Sequence, residues 1–121
     1  MQSSDARKRL IGVVGPSASG KSTLIAGLEK HGYLCRHIAQ DHSYVPDMWK
    51  QLTNPDVLIY LEVSFAVSLA RRGSDRSIAD HIEEVRRLAD ARAHADLLIA
   101  TDGLTAVQVL QSAIDFLKVN P

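Results

Sequence analysis

Two stretches of this chain are apolar without interruption. Leu10–Val14 reads Leu-Ile-Gly-Val-Val and Val57–Leu61 reads Val-Leu-Ile-Tyr-Leu. Runs of that length without alternation mark strands buried on both faces of a parallel sheet. Weaker apolar character over Tyr33–Ala39, from Leu34, Ile38 and Ala39, and the run Leu97–Ala100 predict two further strands. Between the strands the apolar period becomes that of helices. Lys21–Lys30 places Leu24, Ile25 and Leu28 on one face and stops at His31-Gly32. Ser64 is a good N-cap for a helix over Phe65–Arg72, which Gly73 ends. Ser77-Ile-Ala-Asp80 resembles a capping box, and Ile82, Val85 and Leu88/Ala89 carry a helical stripe on to about His94. Thr105 and Gln108 form a second such box, opening a final helix with Val107, Leu110, Ile114 and Leu117 on its apolar face. Gln40–Trp49 is the least regular stretch. There Pro46 predicts a short helix to about Leu52, before Asn54-Pro55-Asp56 breaks the chain. The polar residues 1–8 read as a frayed lead-in.

Strands that alternate with helices imply an α/β fold with a parallel sheet covered on both faces, three layers in all. The pattern predicts one domain over residues 1–121, with no internal repeat or linker. With the first strand central, the second beside it and the third then fourth on its other side, the order becomes second–first–third–fourth. The switch point then lies at the first strand, and ligands bind outside the carboxyl ends of strands at such a point.

The residues at that point are Gly15-Pro16-Ser17-Ala18-Ser19-Gly20-Lys21-Ser22-Thr23. A glycine, four residues, then glycine, lysine and a hydroxyl residue is the spacing of a phosphate-binding P-loop. Gly15 and Gly20 permit turns that a Cβ would block, so successive amides can converge on an anion. Lys21 reaches the β- and γ-phosphates as a compact charge. Ser22 is placed to ligate Mg²⁺, and the N-terminal end of the following helix adds its positive dipole. The plainer alternative is a Gly/Ser-rich turn that binds nothing, and the strand before it and helix after it argue against that.

Composition narrows the setting. The chain has 121 residues, 45% hydrophobic and 23% charged, with formal net charge zero, so it lacks the basic excess expected of a nucleic-acid binder. Cys35 is the only cysteine and cannot pair within the sequence, which fits a reducing compartment. No apolar run approaches the ~20 residues of a membrane span, and the first residues lack the apolar core of a signal peptide. The expected setting is cytoplasmic, without membrane contact.

The arrangement resembles the P-loop small-molecule and nucleotide kinases, as in the shikimate, thymidylate and adenylate kinase group. Pro55 to Arg72 is similar to the stretch in which a buried strand enters a helix ending in lid arginines. Ala95 to Thr105 and the closing helix are similar to the last strand and helix of that superfamily. The resemblance covers most of residues 9–118, with only the loop as a sharp motif. It implies that Arg71, Arg72 and Arg76 close over the phosphates and that Thr101-Asp102-Gly103 borders the adenine. The plainer readings are a solvated charged loop and an ordinary capped turn.

The chain departs from the family in two respects. Residues 40–56 are too few for the substrate-binding module that members insert, and no clean apolar strand ends in an aspartate for magnesium. Asp41 after the second strand and Glu62 at the end of the third are the carboxylates that topology offers, Asp41 first; Glu62 could instead cap the next turn. His42, Tyr44 and Trp49 are candidates to line an acceptor pocket, although Trp49 and Met48 could equally be core. A metal reading of Cys35, His37 and His42 lacks the paired spacings of zinc sites. His81 and His94 read as helix-surface residues.

These observations favour a minimal phosphotransferase that binds Mg²⁺ and ATP, with an unidentified small-molecule acceptor. Lys21, Asp41, Arg72 and Arg76 would carry catalysis. GTP is the less favoured nucleotide because no Asn-Lys-x-Asp segment is present. The rival is a nucleotide-binding or regulatory module that works with a partner chain; a homodimer is compatible with either.

Overall fold

A computed structural model describes residues 9–73 and 76–120. The lead-in over residues 1–8, and Ser74 and Asp75 of the arginine loop, lie outside the described residues. Strand β1 (Leu10–Val14) lies between β2 (Leu34–His37) and β3 (Val57–Glu62), and β4 (Leu97–Ala100) pairs with the far side of β3. All three pairings are parallel, so the sheet has the expected order, β2-β1-β3-β4.

The two continuous apolar runs are buried because both sheet faces are covered. On one face Ile11, Val13, Ile59 and Leu61 pack with Leu24 and Leu28 of α1 (Lys21–Lys30) and with Val109, Ala113, Ile114 and Leu117 of α5 (Ala106–Val119). On the other, Val14, Leu58 and Tyr60 pack with Ile38, Trp49, Leu88 and Ala91 of α4 (Ala89–His94). This is compatible with three α/β/α layers. Strand β2 is a short edge strand with Leu34 exposed, and it stops before the predicted Ala39. No helix among the described residues is long and apolar enough to cross a membrane.

Several helical details differ from the periodicity. The capping box of α5 forms as expected, Thr105 Oγ1 accepting from the Gln108 amide and Gln108 Oε1 from the Thr105 amide. Its buried face runs through Val109 and Ala113, whereas Val107 is 73% exposed. Two residues span about 200° on a helix, so a face centred on 109, 113 and 117 turns Val107 outward.

The helix expected from residue 78 to about 94 is two helices, α3 (Ile78–Arg87) and α4, separated at Leu88. The break inserts Leu88 into the core beside Trp49 and Tyr60. Helix α3 turns Ile82 and Val85 of the expected apolar stripe outward, with Ile78 beside them, while His81 and Glu84 are buried. Its inner face meets polar partners, as the site shows.

Instead of a helix from Pro46, a 3-10 turn (Gln40–His42) and a π turn (Trp49–Thr53) fill the segment between β2 and β3. Gln40 locks this segment. Its side-chain amide donates to the carbonyls of Val45 and Arg87 and accepts from the Trp49 amide. Trp49 is core, its Nε1 donating to Asp90 of α4 at 2.9 Å.

Candidate functional site

The glycine-rich loop leaves the carboxyl end of β1 and enters α1 at Gly20. Gly15 is required by close approach: a Cβ there would meet the Leu61 carbonyl oxygen at 2.5 Å and Ser19 Oγ at 2.7 Å. Gly20 caps α1 at φ +101°, a conformation that costs a side-chain-bearing residue strain. Ala18 also adopts a left-handed conformation, at φ +63°. The result is a tight curl in which Lys21 folds back over its own loop. Its Nζ donates to the Gly15 carbonyl at 2.6 Å and the Pro16 carbonyl at 3.1 Å, and lies 3.6 Å from Asp41 Oδ2.

Asp41 reaches this point because the 3-10 turn after β2 brings it across the loop. Its side chain is 3% exposed, and Oδ1 is buried without a hydrogen-bond partner. His42 Nε2 lies 3.4 Å from Oδ2. Burial pushes the Lys21 ammonium below its ordinary pKa, against the opposing pull of Asp41 and Glu84. Lys21, Ser22, Thr23, Asp41, His42 and Arg72 all line one cavity of about 340 Å³ over the loop. The structure therefore brings together Lys21, Ser22, Asp41 and Arg72 of the expected set.

The other arginines have different duties. Arg71 donates from Nη1 to the Ala18 carbonyl at 2.8 Å and borders a larger cavity of about 500 Å³. That cavity also includes Thr23, Leu24, Thr101, Leu104 and Val109. Arg76 is not among the residues over the loop. It is buried, its Nη2 2.6 Å from Glu84 Oε1, its Nε donating to Ser68 Oγ at 2.8 Å, and its Nη2 3.1 Å from His81 Nδ1. The expected lid arginine is thus an internal one, because a guanidinium out of water needs a carboxylate.

Glu84, which the sequence reading did not single out, holds this cluster to the loop. Its carboxylate accepts from the Ser17 amide at 3.0 Å and the Ser17 hydroxyl at 2.7 Å, while Ser68 Oγ donates to the Ser17 carbonyl. The signal that could have found it is the spacing 81, 84 and 88, an inward face of α3 that carries two polar residues. Burial alone would raise the Glu84 carboxyl, but Ser17 and Arg76 together outweigh it and hold the pKa below the ordinary value.

His81, read as a surface residue, is instead buried, and burial and Arg76 push its pKa below the usual histidine value. Both groups therefore bind protons less well folded than unfolded, and each stabilises the fold above its unfolded pKa. The midpoint of urea unfolding is expected to hold above about pH 7, fall below about pH 6.5 as His81 is forced to protonate, and fall again below about pH 4 with Glu84. His37, disfavoured as an imidazolium by burial and Lys21, adds to the first limb. A His81→Leu chain should show a shallower first limb; an identical slope would remove His81 from this role.

Glu62 and Asp102 lie elsewhere. Glu62 Oε2 accepts from Arg92 Nε at 3.1 Å and Nη2 at 2.9 Å, on a separate cavity that Asp102 also borders. Asp102 accepts from the Ser64 amide at 3.1 Å, and the Ser64 hydroxyl and amide together hold its carboxyl below the usual range. Gly103 sits in the turn at φ +77°, between Asp102 and the cavity-lining Leu104.

The stacked acceptor pocket expected of His42, Tyr44 and Trp49 does not form: Trp49 is core and Tyr44 is 82% exposed beneath the Arg87 guanidinium. Cys35 is buried in the apolar core, where burial pushes its thiol up to about 11. The potential ligand group among the described residues is Asp41, His42 and Glu84, whose ligand atoms lie within 4.8 Å of one another. Comparison with protein-family models gives no match, and comparison with curated proteins gives none either.

Proposed function

We propose that this chain is a P-loop protein that binds Mg²⁺ and a nucleoside triphosphate, ATP in first place, and transfers a phosphoryl group to a small molecule as a kinase does. One observation carries the reading: a buried lysine folded over a glycine-rich loop, beside a buried aspartate with an unpartnered oxygen. A buried carboxylate oxygen without a partner is costly unless something occupies it. On a cavity that Ser22 also borders, it suits a hard divalent cation. The residues present therefore fit magnesium, with Ser22 and Asp41 as its holders.

In this reading Lys21 exchanges its two loop carbonyls for phosphate oxygens, and the first-turn amides of α1, which have no helical acceptor, supply further donors. Magnesium, when bound, neutralises charge on the phosphates. Arg72 lines the same cavity and would meet charge that develops on the transferred group. Arg71 and Glu84 hold the Ala18 and Ser17 peptides, so the loop keeps its curl without a ligand. The base would occupy the cavity of about 500 Å³ beside Thr101 and Leu104. The acceptor would enter a smaller polar cavity of about 290 Å³, which shares His42 and Arg72 with the loop's own. A reducing, cytoplasmic setting goes with this reading, supported by the free thiol of Cys35.

The rival, a nucleotide-binding module that works with a partner chain, draws support from residues 40–56. Gln40 and Trp49 tie that segment into the fold, leaving no substrate module of the family's kind. One experiment separates the two: incubation with Mg·ATP and a metabolite panel, following ADP. ADP formation that depends on one compound supports the kinase. Tight ATP binding without acceptor-dependent turnover supports the module, and absence of ATP binding overturns both.

A further inference from the structure

The cavity that Glu62 and Asp102 border, of about 350 Å³ at the carboxyl ends of β3 and β4, has no part in the nucleotide reading. It shares no residue with the cavity over the loop, the one assigned to the base or the one assigned to the acceptor. It meets the glycine-rich loop only at Pro16, and Val63, Val85 and Ala100 extend its apolar walls. Its volume falls within the ~300–1,000 Å³ range of small-molecule sites.

Two buried groups on its lining carry hydrogen-bonding capacity that the fold does not use. Tyr60 is 1% exposed, and its hydroxyl makes no hydrogen bond among the described residues. That hydroxyl is not one of the unpartnered polar atoms sealed from solvent, so it opens on the cavity. Burial, then Glu62, push its pKa up to about 12, which keeps it protonated and a donor. His81 is 9% exposed, and its Nδ1 lies 3.1 Å from Arg76 Nη2. A guanidinium has donors only, so Nδ1 accepts and the neutral ring carries its proton on Nε2. That N–H has no acceptor among the described residues.

These two donors form the floor, and the exposed rim is acidic. Glu62 gives Oε2 to Arg92 and accepts nothing at Oε1, and Asp102 stands on the same rim. Two carboxylates against one paired arginine disfavour an anion, and two floor donors disfavour an ammonium. Neighbouring hydroxyls on one carbon frame accept from such a floor and donate to such a rim, with the frame's C–H faces on the apolar walls.

We infer that this cavity is a second ligand site, which takes an uncharged polyhydroxy compound of sugar size through Tyr60 and His81 as donors and Glu62 and Asp102 as acceptors. The inference does not rest on the P-loop reading. The test is ligand-observed NMR titration of the full chain, without nucleotide, using glycerol, D-ribose, D-glucose and myo-inositol. Citrate and putrescine serve as charged comparisons. The series is repeated with Tyr60→Phe, which removes one oxygen and keeps the ring in the core, and with Ala100→Leu, which fills the cavity from the end of β4. At least one of the four polyols should bind more tightly than either charged compound. Its affinity should fall about fivefold or more with Tyr60→Phe and vanish with Ala100→Leu.

Binding by none of the four overturns the inference. Affinity unchanged in either variant puts the polyol elsewhere and overturns the site. Citrate or putrescine binding more tightly than every polyol, in a manner that Tyr60→Phe weakens, overturns the ligand class. Each of these results leaves the phosphate loop standing, since no nucleotide is present.

Discussion

Replacing Lys21 by alanine is expected to weaken Mg·ATP binding by about 100-fold or more, measured by calorimetry. The ammonium lies within the loop's curl and would make two charge-assisted hydrogen bonds to phosphate, each contributing about 1.5–3 kcal/mol. Their loss comes to at least about 3 kcal/mol, where 1.4 kcal/mol is tenfold. The substitution also strips Asp41 of its cation, so thermal unfolding must be recorded on the same sample. A second chain, Lys21→Met with Asp41→Asn, removes both charges together and avoids a lone buried carboxylate. It should unfold near the native temperature and still bind ATP poorly. Unchanged affinity in both chains would remove the phosphate site from this loop.

The second large effect concerns the fold and needs no ligand. Arg76→Met leaves Glu84 buried without its guanidinium, and breaking a buried pair from one side typically costs about 3–5 kcal/mol. That is a large share of the ~5–15 kcal/mol that holds a domain of this size. The melting temperature should fall by more than about 10 °C. Arg76→Met combined with Glu84→Gln should recover part of the loss, since the neutral amide can still accept from the Ser17 amide. A drop of less than about 1 kcal/mol in the single variant would mean that the pair is solvated, and the loop is then not clamped by α3.

Local chemistry carried most of the architecture. The uninterrupted runs at Leu10–Val14 and Val57–Leu61 could satisfy their side chains only inside a covered parallel sheet, and both are there. Thr105 and Gln108 stand three residues apart, and each satisfies the other's backbone amide regardless of what surrounds them. The loop spacing was legible for the same reason, because turns and helix starts depend on neighbours in sequence. Asp41 was reachable by topology, since residues following parallel strands gather at one edge of the sheet.

The clamp behind the loop was not legible in this way. Glu84 and Ser17 are 67 residues apart, and nothing near either one names the other. Helix α3 was misread because amphipathicity states only that a helix has two faces. Which face turns inward depends on what it meets, and here it meets Ser17 and Arg76. The same limit hid Trp49, whose ring could have met a ligand or the sheet until Asp90 of α4 came within reach of its indole nitrogen.

The sequence alone determined the strands, the loop that follows the first of them and the caps that start the helices, because each depends on residues within one turn or one pleat. Tertiary structure decided that Arg76 serves the fold, that Arg72 stands over the loop and that Asp41 keeps an oxygen unpartnered. Those assignments depend on which charges desolvation forces together, and that is settled only when distant segments pack.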